Sequence, residues 1–278
     1  MTDRRLTPAN GRVAAAHLKG WVAAERYVEG EAATVAVPVA DLLAAPDGAR
    51  DRQLLLGEAV TVYDRRNGWA FVQAEKDGYV GYLDAAALRG AGTPTHRVAA
   101  RATHVYPAPD MKRREAMALS LGSRLTVTAT EGRFAATPLG FVPVVHLAPL
   151  EVPETDPVAV AERLLGTPYL WGGNSADGID CSGLVQAALL ACGIACPGDS
   201  DMQAALGAEA EGPPRRGDLL FWKGHVALVR DAGTLIHANA HHMAVSAERI
   251  EEATARIAAQ GDGPITARRR LRAEGQGA

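Results

Sequence analysis

One stretch in the second half of the chain repeats apolar residues at helical spacing. Asp180 precedes it and can cap a first turn, and Gly193 closes it. The apolar positions on the shared face are Leu184, Val185, Ala188, Leu189 and Cys192. This periodicity predicts a helix that begins with Cys181 and ends before Gly193.

Short β-branched and apolar runs follow this helix and predict strands at 219–222, 226–229 and 234–236. Asp231, Ala232 and Gly233 separate the last two runs and predict a hairpin loop. Helical spacing recurs in two flanking segments, 158–165 and 247–259. The region therefore predicts an α+β domain in which one helix packs on an antiparallel sheet.

The first half of the chain has a different pattern. Helical spacing over 12–29 predicts one short helix or two turns. Residues 31–150 instead alternate brief β-rich runs with Gly, Pro, Asp and Asn. A degenerate repeat with an offset of about 65 residues runs through residues 31–150. Its matching pieces are 56–62 with 121–127, Trp69 with Phe134, and 78–80 with 140–142. One small β-barrel per copy is the architecture that this repeat predicts.

Composition and charge narrow the function classes. Of 278 residues, 47% are hydrophobic and 22% charged, so the chain is not a disordered polymer. The net charge of −3 gives no general electrostatic attraction for nucleic acid. Neither a signal-peptide core nor an apolar run of about 20 residues occurs, and three cysteines do not make a disulfide framework. We therefore expect a cytoplasmic protein with no membrane span and no nucleic-acid partner.

Cys181 is the candidate nucleophile because it begins the predicted helix, where unpaired N–H groups and the helix dipole favour a thiolate. The alternative is a buried cysteine that acts as a small hydrophobic residue. His225, at the start of a predicted strand, is the candidate base, and His237 on the next strand would orient it. A hairpin centred on Asp231 would place these histidines directly opposite each other, whereas a turn centred after Ala232 would offset them.

Two alternatives compete with this arrangement. His241 and His242 follow the last predicted strand and could replace His237 as the third residue. Cys192-x3-Cys196 and His237-x3-His241 are superficially similar to zinc-ligand spacings, but Cys192 lies on the apolar helix face and no Cys-x-x-Cys occurs. We therefore expect no metal and no cofactor.

Six ordered pieces carry a family resemblance. They are 168–173 (PYLWGG), 180–183 (DCSG), 197–200 (PGDS), 216–219 (RGDL), 224–226 (GHV) and 236–238 (IHA). This order resembles the NlpC-type family of papain-like cysteine peptidases, which cut bacterial cell-wall peptides. The resemblance implies that Cys181 is the nucleophile, His225 the base and His237 the orienting residue.

The repeats in the first half resemble the bacterial SH3-like domains that accompany such peptidases. The resulting division has five segments: a helical lead-in (1–30), two SH3-like domains (31–90 and 95–150), a linker (151–157) and the peptidase domain (158–278). In cytoplasmic-type relatives, substrate-binding positions match Tyr82 of the first barrel and five residues of the peptidase domain. These five are Tyr169, Asp180, Ser182, Asp199 and Ser200. For Asp180, Ser182, Asp199 and Ser200 the alternative is a structural role in starting a helix.

The resemblance implies an endopeptidase that cuts the γ-D-glutamyl–diamino acid bond of murein peptides with a free N-terminal L-alanine, in cell-wall turnover or recycling. One rival is a catalytically inert module that binds wall peptide or a protein partner. An inert descendant should have lost its thiol or its base, yet Cys181, His225 and His237 are all present. A further alternative is an amidase or acyltransferase with the same three residues, because only the acceptor would differ.

Overall fold

The computed structural model describes residues 3–271, which fall into two compact units divided between Val152 and Pro153. The division lies within the predicted linker, 151–157. The first two residues and 272–278 lie outside the described part, so the ends of the predicted segments 1–30 and 158–278 are not described. No helix within 3–271 has the length and apolar character needed to span a bilayer.

The first unit consists mainly of strands, and its first nine precede residue 91. They are β1 (Val13–Ala15), β2 (Arg26–Val28), β3 (Glu31–Val35), β4 (Val39–Leu43), β5 (Arg50–Leu55), β6 (Ala59–Arg66), β7 (Trp69–Ala74), β8 (Val80–Asp84) and β9 (Leu88–Gly90). Seven of them form an antiparallel sheet in the order β5-β4-β8-β7-β6-β3-β9, and β1 pairs in parallel with β2. Val13, Phe71 and Val80 pack in one buried cluster. The first strand is therefore joined to the core of the sheet.

The prediction of one short helix or two turns over 12–29 is wrong for most of that segment. Val13–Ala15 and Arg26–Val28 are strands, and only Ala16–Leu18 forms a single 3-10 turn. Gly20 has φ +88°, which ends helical geometry after that turn. Val13 and Val28 favour extended backbone and bury their side chains against the sheet, so tertiary packing overrides the helical spacing.

The rest of the first unit holds eight short strands. They are β10 (His96–Val98), β11 (Ala102–Val105), β12 (Met117–Ser120), β13 (Arg124–Leu125), β14 (Ala129–Glu131), β15 (Phe134–Thr137), β16 (Gly140–Pro143) and β17 (Leu147–Pro149). They form three sheets, β13-β10-β17, β11-β12 and β14-β15-β16, around a core that includes Leu56 from the first half of the unit. Single 3-10 turns also lie at Ala85–Ala87 and Val144–His146. A second SH3-like barrel stays a prediction.

The second unit is an α+β fold. Its helices are α1 (Pro157–Glu162), α2 (Cys181–Ala191), α3 (Ser200–Gln203) and α4 (Ile250–Ala259). Its strands are β18 (Asn174–Ser175), β19 (Gly178–Ile179), β20 (Ala208–Glu209), β21 (Leu219–Trp222), β22 (His225–Val229), β23 (Thr234–Asn239), β24 (Ala244–Arg249) and β25 (Ala267–Arg270). Six strands form an antiparallel sheet in the order β20-β25-β21-β22-β23-β24. The predicted helix that begins with Cys181 packs against β22 and β23.

The late helix begins three residues after its predicted start. Residues 247–249 complete β24, which pairs with β23 along its whole length, and α4 starts at Ile250. Ala253 and Ile257 of α4 then pack on a cluster that includes Leu235 of β23. The boundary matters because it puts Glu248 on a strand beside the histidines rather than on a helix.

Gly183 lets the preceding loop lie directly against the first turn of α2. A Cβ atom at this position would stand 2.4 Å from the carbonyl oxygen of Gly173 and 3.0 Å from Oδ1 of Asp180. The same Gly173 oxygen accepts a hydrogen bond from the Asp180 N–H at 3.2 Å. A side chain here would push the loop and the helix start apart.

We predict that Gly183→Ala destabilises the start of α2 by about 1–3 kcal/mol, because the overlap with backbone outweighs the helix propensity of alanine. Native-state hydrogen exchange of the α2 amides measures this. Gly233→Ala is the matched control, since its Cβ would meet only Asp231 Oδ1 at 3.8 Å. Equal protection in the two variants would contradict the prediction.

Candidate active site

Cys181 is the first residue of α2, and Asp180 caps that helix. Oδ1 of Asp180 accepts hydrogen bonds from the Gly183 N–H at 2.6 Å and the Ser182 hydroxyl at 3.1 Å. Cys181 is 7% exposed. The sequence thus places a nearly buried thiol at a helix N-terminus, where backbone N–H groups stabilise negative charge.

The loop before α2 is tied to the same carboxylate. Oδ2 of Asp180 accepts a hydrogen bond from the Gly172 N–H at 2.9 Å. Tyr169, in this loop, is half-buried, and its backbone N–H donates to the carbonyl of Met243. Burial, followed by the charges of Cys181 and Asp180, raises the pKa of Tyr169 well above its usual range. Tyr169 is therefore a neutral hydroxyl in the electrostatic environment of the thiol.

His225 and His237 meet through their rings. Nε2 of His225 lies 2.8 Å from Nδ1 of His237, and the ring centroids are 5.0 Å apart. His225 begins β22 directly after a two-residue turn, in which Gly224 has φ +70°. His237 lies within β23 and is fully buried. The base and the orienting residue predicted from the sequence are thus in hydrogen-bond contact.

The β22–β23 register offsets the two histidines. Leu228 pairs with Ile236 and Val229 with Leu235. Continued toward the start of β22, this register puts His237 opposite Ala227, two residues from His225. The direct pairing expected from a hairpin centred on Asp231 is therefore wrong, and the offset alternative holds. Residues two apart share one face of a strand, and such diagonal neighbours are within reach of ring side chains.

Desolvation keeps both histidines neutral: His237 is fully buried and His225 is half-buried. Desolvation, reinforced by the adjacent His237, lowers the pKa of His225 to about 3. Burial also lowers the pKa of His237, although its hydrogen bond to Glu248 opposes the shift. A neutral imidazole can accept a proton, so His225 is in the form that a general base requires.

Glu248 is a site residue that the sequence reasoning missed. Its Oε1 lies 2.6 Å from Nε2 of His237, and Arg256 of α4 hydrogen-bonds the same oxygen. Burial would raise the pKa of this carboxyl group, but the bonds from His237 and Arg256 outweigh it and hold the pKa of Glu248 at about 2. Apolar and polar residues alternate over 245–248, which is the sequence signal for a strand. A strand here would place Glu248 beside His237.

Asp180 and Ser182, two of the predicted substrate residues, have structural partners. Both are buried, and Asp180 accepts three hydrogen bonds that fix the start of α2 and the loop before it. Asp199 and Ser200 are half-buried, and they stand at the N-cap position and the first residue of α3. All four residues thus lie at helix starts, as the structural alternative expected, although Asp199 makes no side-chain cap hydrogen bond. Substrate contact stays a prediction for all four.

Tyr82 belongs to the first unit. Its hydroxyl accepts a hydrogen bond from Asn10 Nδ2 at 3.0 Å, and its ring packs 5.1 Å from that of Phe71. It also lines an open cavity of about 310 Å³ together with Arg12 and Trp69. Tyr82 is therefore a half-buried side chain with one side toward this cavity, and its role in substrate binding stays a prediction.

His241 and His242 form a separate pair beyond β23. Their rings are edge-to-face at 4.8 Å, and Nδ1 of His242 lies 3.0 Å from Oδ1 of Asn239 and 3.1 Å from Oγ of Ser246. The partner of His225 is instead His237. Across residues 3–271 no group of three or more His, Cys, Asp or Glu side chains is arranged to hold a metal ion.

Comparison with known proteins matches two parts of the chain to families. Residues 166–259 match the NlpC/P60 family, and residues 42–88 match the bacterial dipeptidyl-peptidase SH3 domain. A crystal structure of an NlpC/P60 family protein from Bacillus cereus shares the fold, with a TM-score of 0.73 and 22% identity over 87% of this chain and 99% of that one.

Curated relatives are similar over shorter stretches. Dipeptidyl-peptidase 6 of Lysinibacillus sphaericus is 36% identical over 104 residues, which cover 34% of this chain and 36% of that protein. The gamma-D-glutamyl-L-lysine dipeptidyl-peptidase of Bacillus subtilis is 38% identical over 95 residues, which cover 30% and 31% respectively. The chain thus aligns with about a third of the length of each of these relatives.

We predict that the second unit loses stability as the pH falls from about 6.5 toward 3. The unfolded chain protonates its histidines near pH 6.5, whereas His225, with a folded-state pKa of about 3, excludes that proton. His237 shifts in the same direction, and Glu248 adds a loss below about pH 4.5. Each group contributes at most about 1.4 kcal/mol per pH unit.

Hydrogen exchange of the β22 and β23 amides between pH 7.5 and 4.5, corrected for intrinsic exchange rates, measures this slope. His225→Gln removes the titrating ring and should therefore flatten the dependence of amide protection on pH between pH 6.5 and 4.5. Protection that is constant or rises toward low pH in the unmodified protein would show that His225 and His237 do not control stability.

Proposed function

This chain carries an NlpC/P60 family domain at residues 166–259 and a bacterial SH3 domain at residues 42–88, and we propose on that basis that it is a cysteine peptidase of peptidoglycan peptides. The observation that carries the proposal is the hydrogen bond between His225 and His237 on the two strands against which the Cys181 helix packs. A thiol at a helix N-terminus and an oriented neutral imidazole are the two groups that thiol acyl transfer needs.

The proposed reaction follows from the state of these groups. Nδ1 of His225 takes the proton of the Cys181 thiol while Sγ attacks the amide carbonyl carbon. Backbone N–H groups at the start of α2, including that of Cys181, stabilise the oxyanion. The C–N bond breaks, and His225 gives its proton to the leaving amine, which leaves a thioester on Cys181. His225 then takes a proton from water as the water oxygen attacks the thioester carbon. The C–S bond breaks, the peptide acid leaves, and His225 returns the proton to Sγ of Cys181.

We propose that the bond cut is the γ-D-glutamyl–diamino acid amide and that the peptide must carry a free N-terminal L-alanine. The names of the two relatives support this, because a dipeptidyl-peptidase releases two residues from a free amino terminus. Asp199 is the proposed partner of the peptide ammonium group. Tyr169, whose hydroxyl stays neutral beside Cys181 and Asp180, is proposed to contact the peptide near the reacting carbonyl.

We predict that Cys181→Ala abolishes hydrolysis of L-Ala-γ-D-Glu-diaminopimelate, with His225→Ala nearly as severe because the two residues act as a unit. His237→Ala should be milder, since water can partly replace an orienting side chain. Rates are measured by chromatography of the released dipeptide. Cys192→Ala is the matched control and should keep normal turnover. More than trace activity in folded Cys181→Ala would refute the assignment.

We also predict that N-acetylation of this tripeptide lowers kcat/KM by roughly ten- to a hundredfold, the value of a charge-assisted contact of about 1.5–3 kcal/mol. Asp199→Asn should cause a similar loss for the free peptide and little further loss for the acetylated one. This comparison of two proteins with two peptides is a double-mutant cycle, which isolates the contact between the carboxylate and the ammonium group. Comparable turnover of the two peptides by the unmodified protein would exclude a requirement for the free amine.

A further inference from the structure

Glu248 continues the line of hydrogen bonds that starts at His225. In the β23–β24 ladder Glu248 pairs with Leu235, and Ser246 pairs with His237. Glu248 is therefore offset by two residues from His237, just as His237 is offset by two from His225 on the other side. The three side chains form a diagonal across β22, β23 and β24, with contacts of 2.8 Å and 2.6 Å.

This diagonal fixes the position of each proton. The Glu248 carboxylate is ionised and can only accept, so Nε2 of neutral His237 must carry its proton. Nδ1 of His237 then has a lone pair and accepts from Nε2–H of His225. Neutral His225 is left with its lone pair on Nδ1, the nitrogen that is not bonded to His237. Without the carboxylate, His237 could take the other tautomer and offer His225 a donor instead of an acceptor.

Arg256 holds the carboxylate in place. It reaches Glu248 from α4, and the side chains of Glu248 and Arg256 are 12% and 18% exposed. Its positive charge compensates the charge of Glu248 and also disfavours protonation of both histidines. His242, which follows β23, adds a smaller effect that also lowers the pKa of His237. The packing of α4 on the sheet thus fixes an acceptor behind His237.

We propose that Glu248 is a positioning residue that sets the tautomer of His237 and thereby leaves Nδ1 of His225 as the basic nitrogen. This inference rests on the proposed function, in which His225 takes the proton of Cys181. Glu248 does not touch the substrate. Its effect passes through His237, so it should alter turnover far more than substrate affinity.

The kinetic test compares three variants of the full chain. Glu248→Leu removes the acceptor and should lower kcat by about 10- to 100-fold, less than the full contribution of a general base, with KM within about twofold. Glu248→Gln keeps an oxygen that can accept from His237 and should retain more activity. Arg256→Met removes the ion pair but keeps the acceptor, so its kcat should fall less than that of Glu248→Leu.

Two kinetic outcomes would overturn the proposal. The first is an unchanged kcat in folded Glu248→Leu. The second is an equal loss in Arg256→Met and Glu248→Leu, because the ion pair would then matter only for holding α4 on the sheet. Far-ultraviolet circular dichroism identifies variants that are not folded. If Glu248→Leu does not fold, the kcat of Glu248→Gln, which preserves the shape of the side chain, tests the positioning role instead.

A second readout needs no turnover. In protein labelled with ¹⁵N-histidine, the ring nitrogen shifts show which nitrogen carries the proton, and the His237 signals are those lost in His237→Gln. The chain has eight histidines, so this assignment by difference is practical. The unmodified protein should show His237 protonated at Nε2 at pH 7.5, and Glu248→Leu should shift His237 toward the Nδ1–H tautomer.

The two readouts separate the two proposals. The expected tautomer change in a protein that cleaves no peptide would leave the positioning role intact and refute the proposed function. Peptide cleavage with the same His237 tautomer in Glu248→Leu would refute the positioning role alone.

Discussion

The register of three neighbouring antiparallel strands is the constraint on which the site depends. Side chains alternate between the faces of a strand, so a slip of one residue between β22 and β23 would turn His237 away from His225. The observed register keeps His225, His237 and Glu248 on one diagonal, with each residue offset by two from the next. Apolar packing selects this register, because Ala227, Val229 and Leu235 must face the same buried cluster under α4.

Asp180 organises the other half of the site. One carboxylate oxygen fixes the start of α2 through Gly183 and Ser182, and the other holds the loop at Gly172. Gly183 permits this close approach because any side chain there would overlap the Gly173 carbonyl. The thiol is thus presented by a helix whose first turn and preceding loop are held by a single buried carboxylate. Rigid support of this kind is what an active-site nucleophile requires.

Local patterns predicted the main elements of the second unit. The helix that begins at Cys181 and the strands around His225 and His237 follow from clear periodicity and short turn sequences. Glu248 is absent from the predicted site because helical spacing over 247–259 predicts one helix, whereas residues 247–249 continue the alternation of Val245 and Ser246 and extend β24. The helical prediction over 12–29 is wrong for a related reason, since Val13 and Val28 pack against Phe71 and Val80, which lie far along the chain. In such segments the choice between helix and strand depends on contacts with residues from other parts of the chain.

If its surroundings activate Cys181, the thiol should react with an alkylating agent faster than its exposure allows. Among the three cysteines, Cys181 is 7% and Cys196 2% exposed, whereas Cys192 is only partly buried. Iodoacetamide labelling near pH 7, resolved by peptide mass spectrometry, should modify Cys181 fastest despite its burial, and His225→Ala should slow that reaction. Rates that follow exposure, with Cys192 first and no effect of His225→Ala, would show that Cys181 is an ordinary buried thiol.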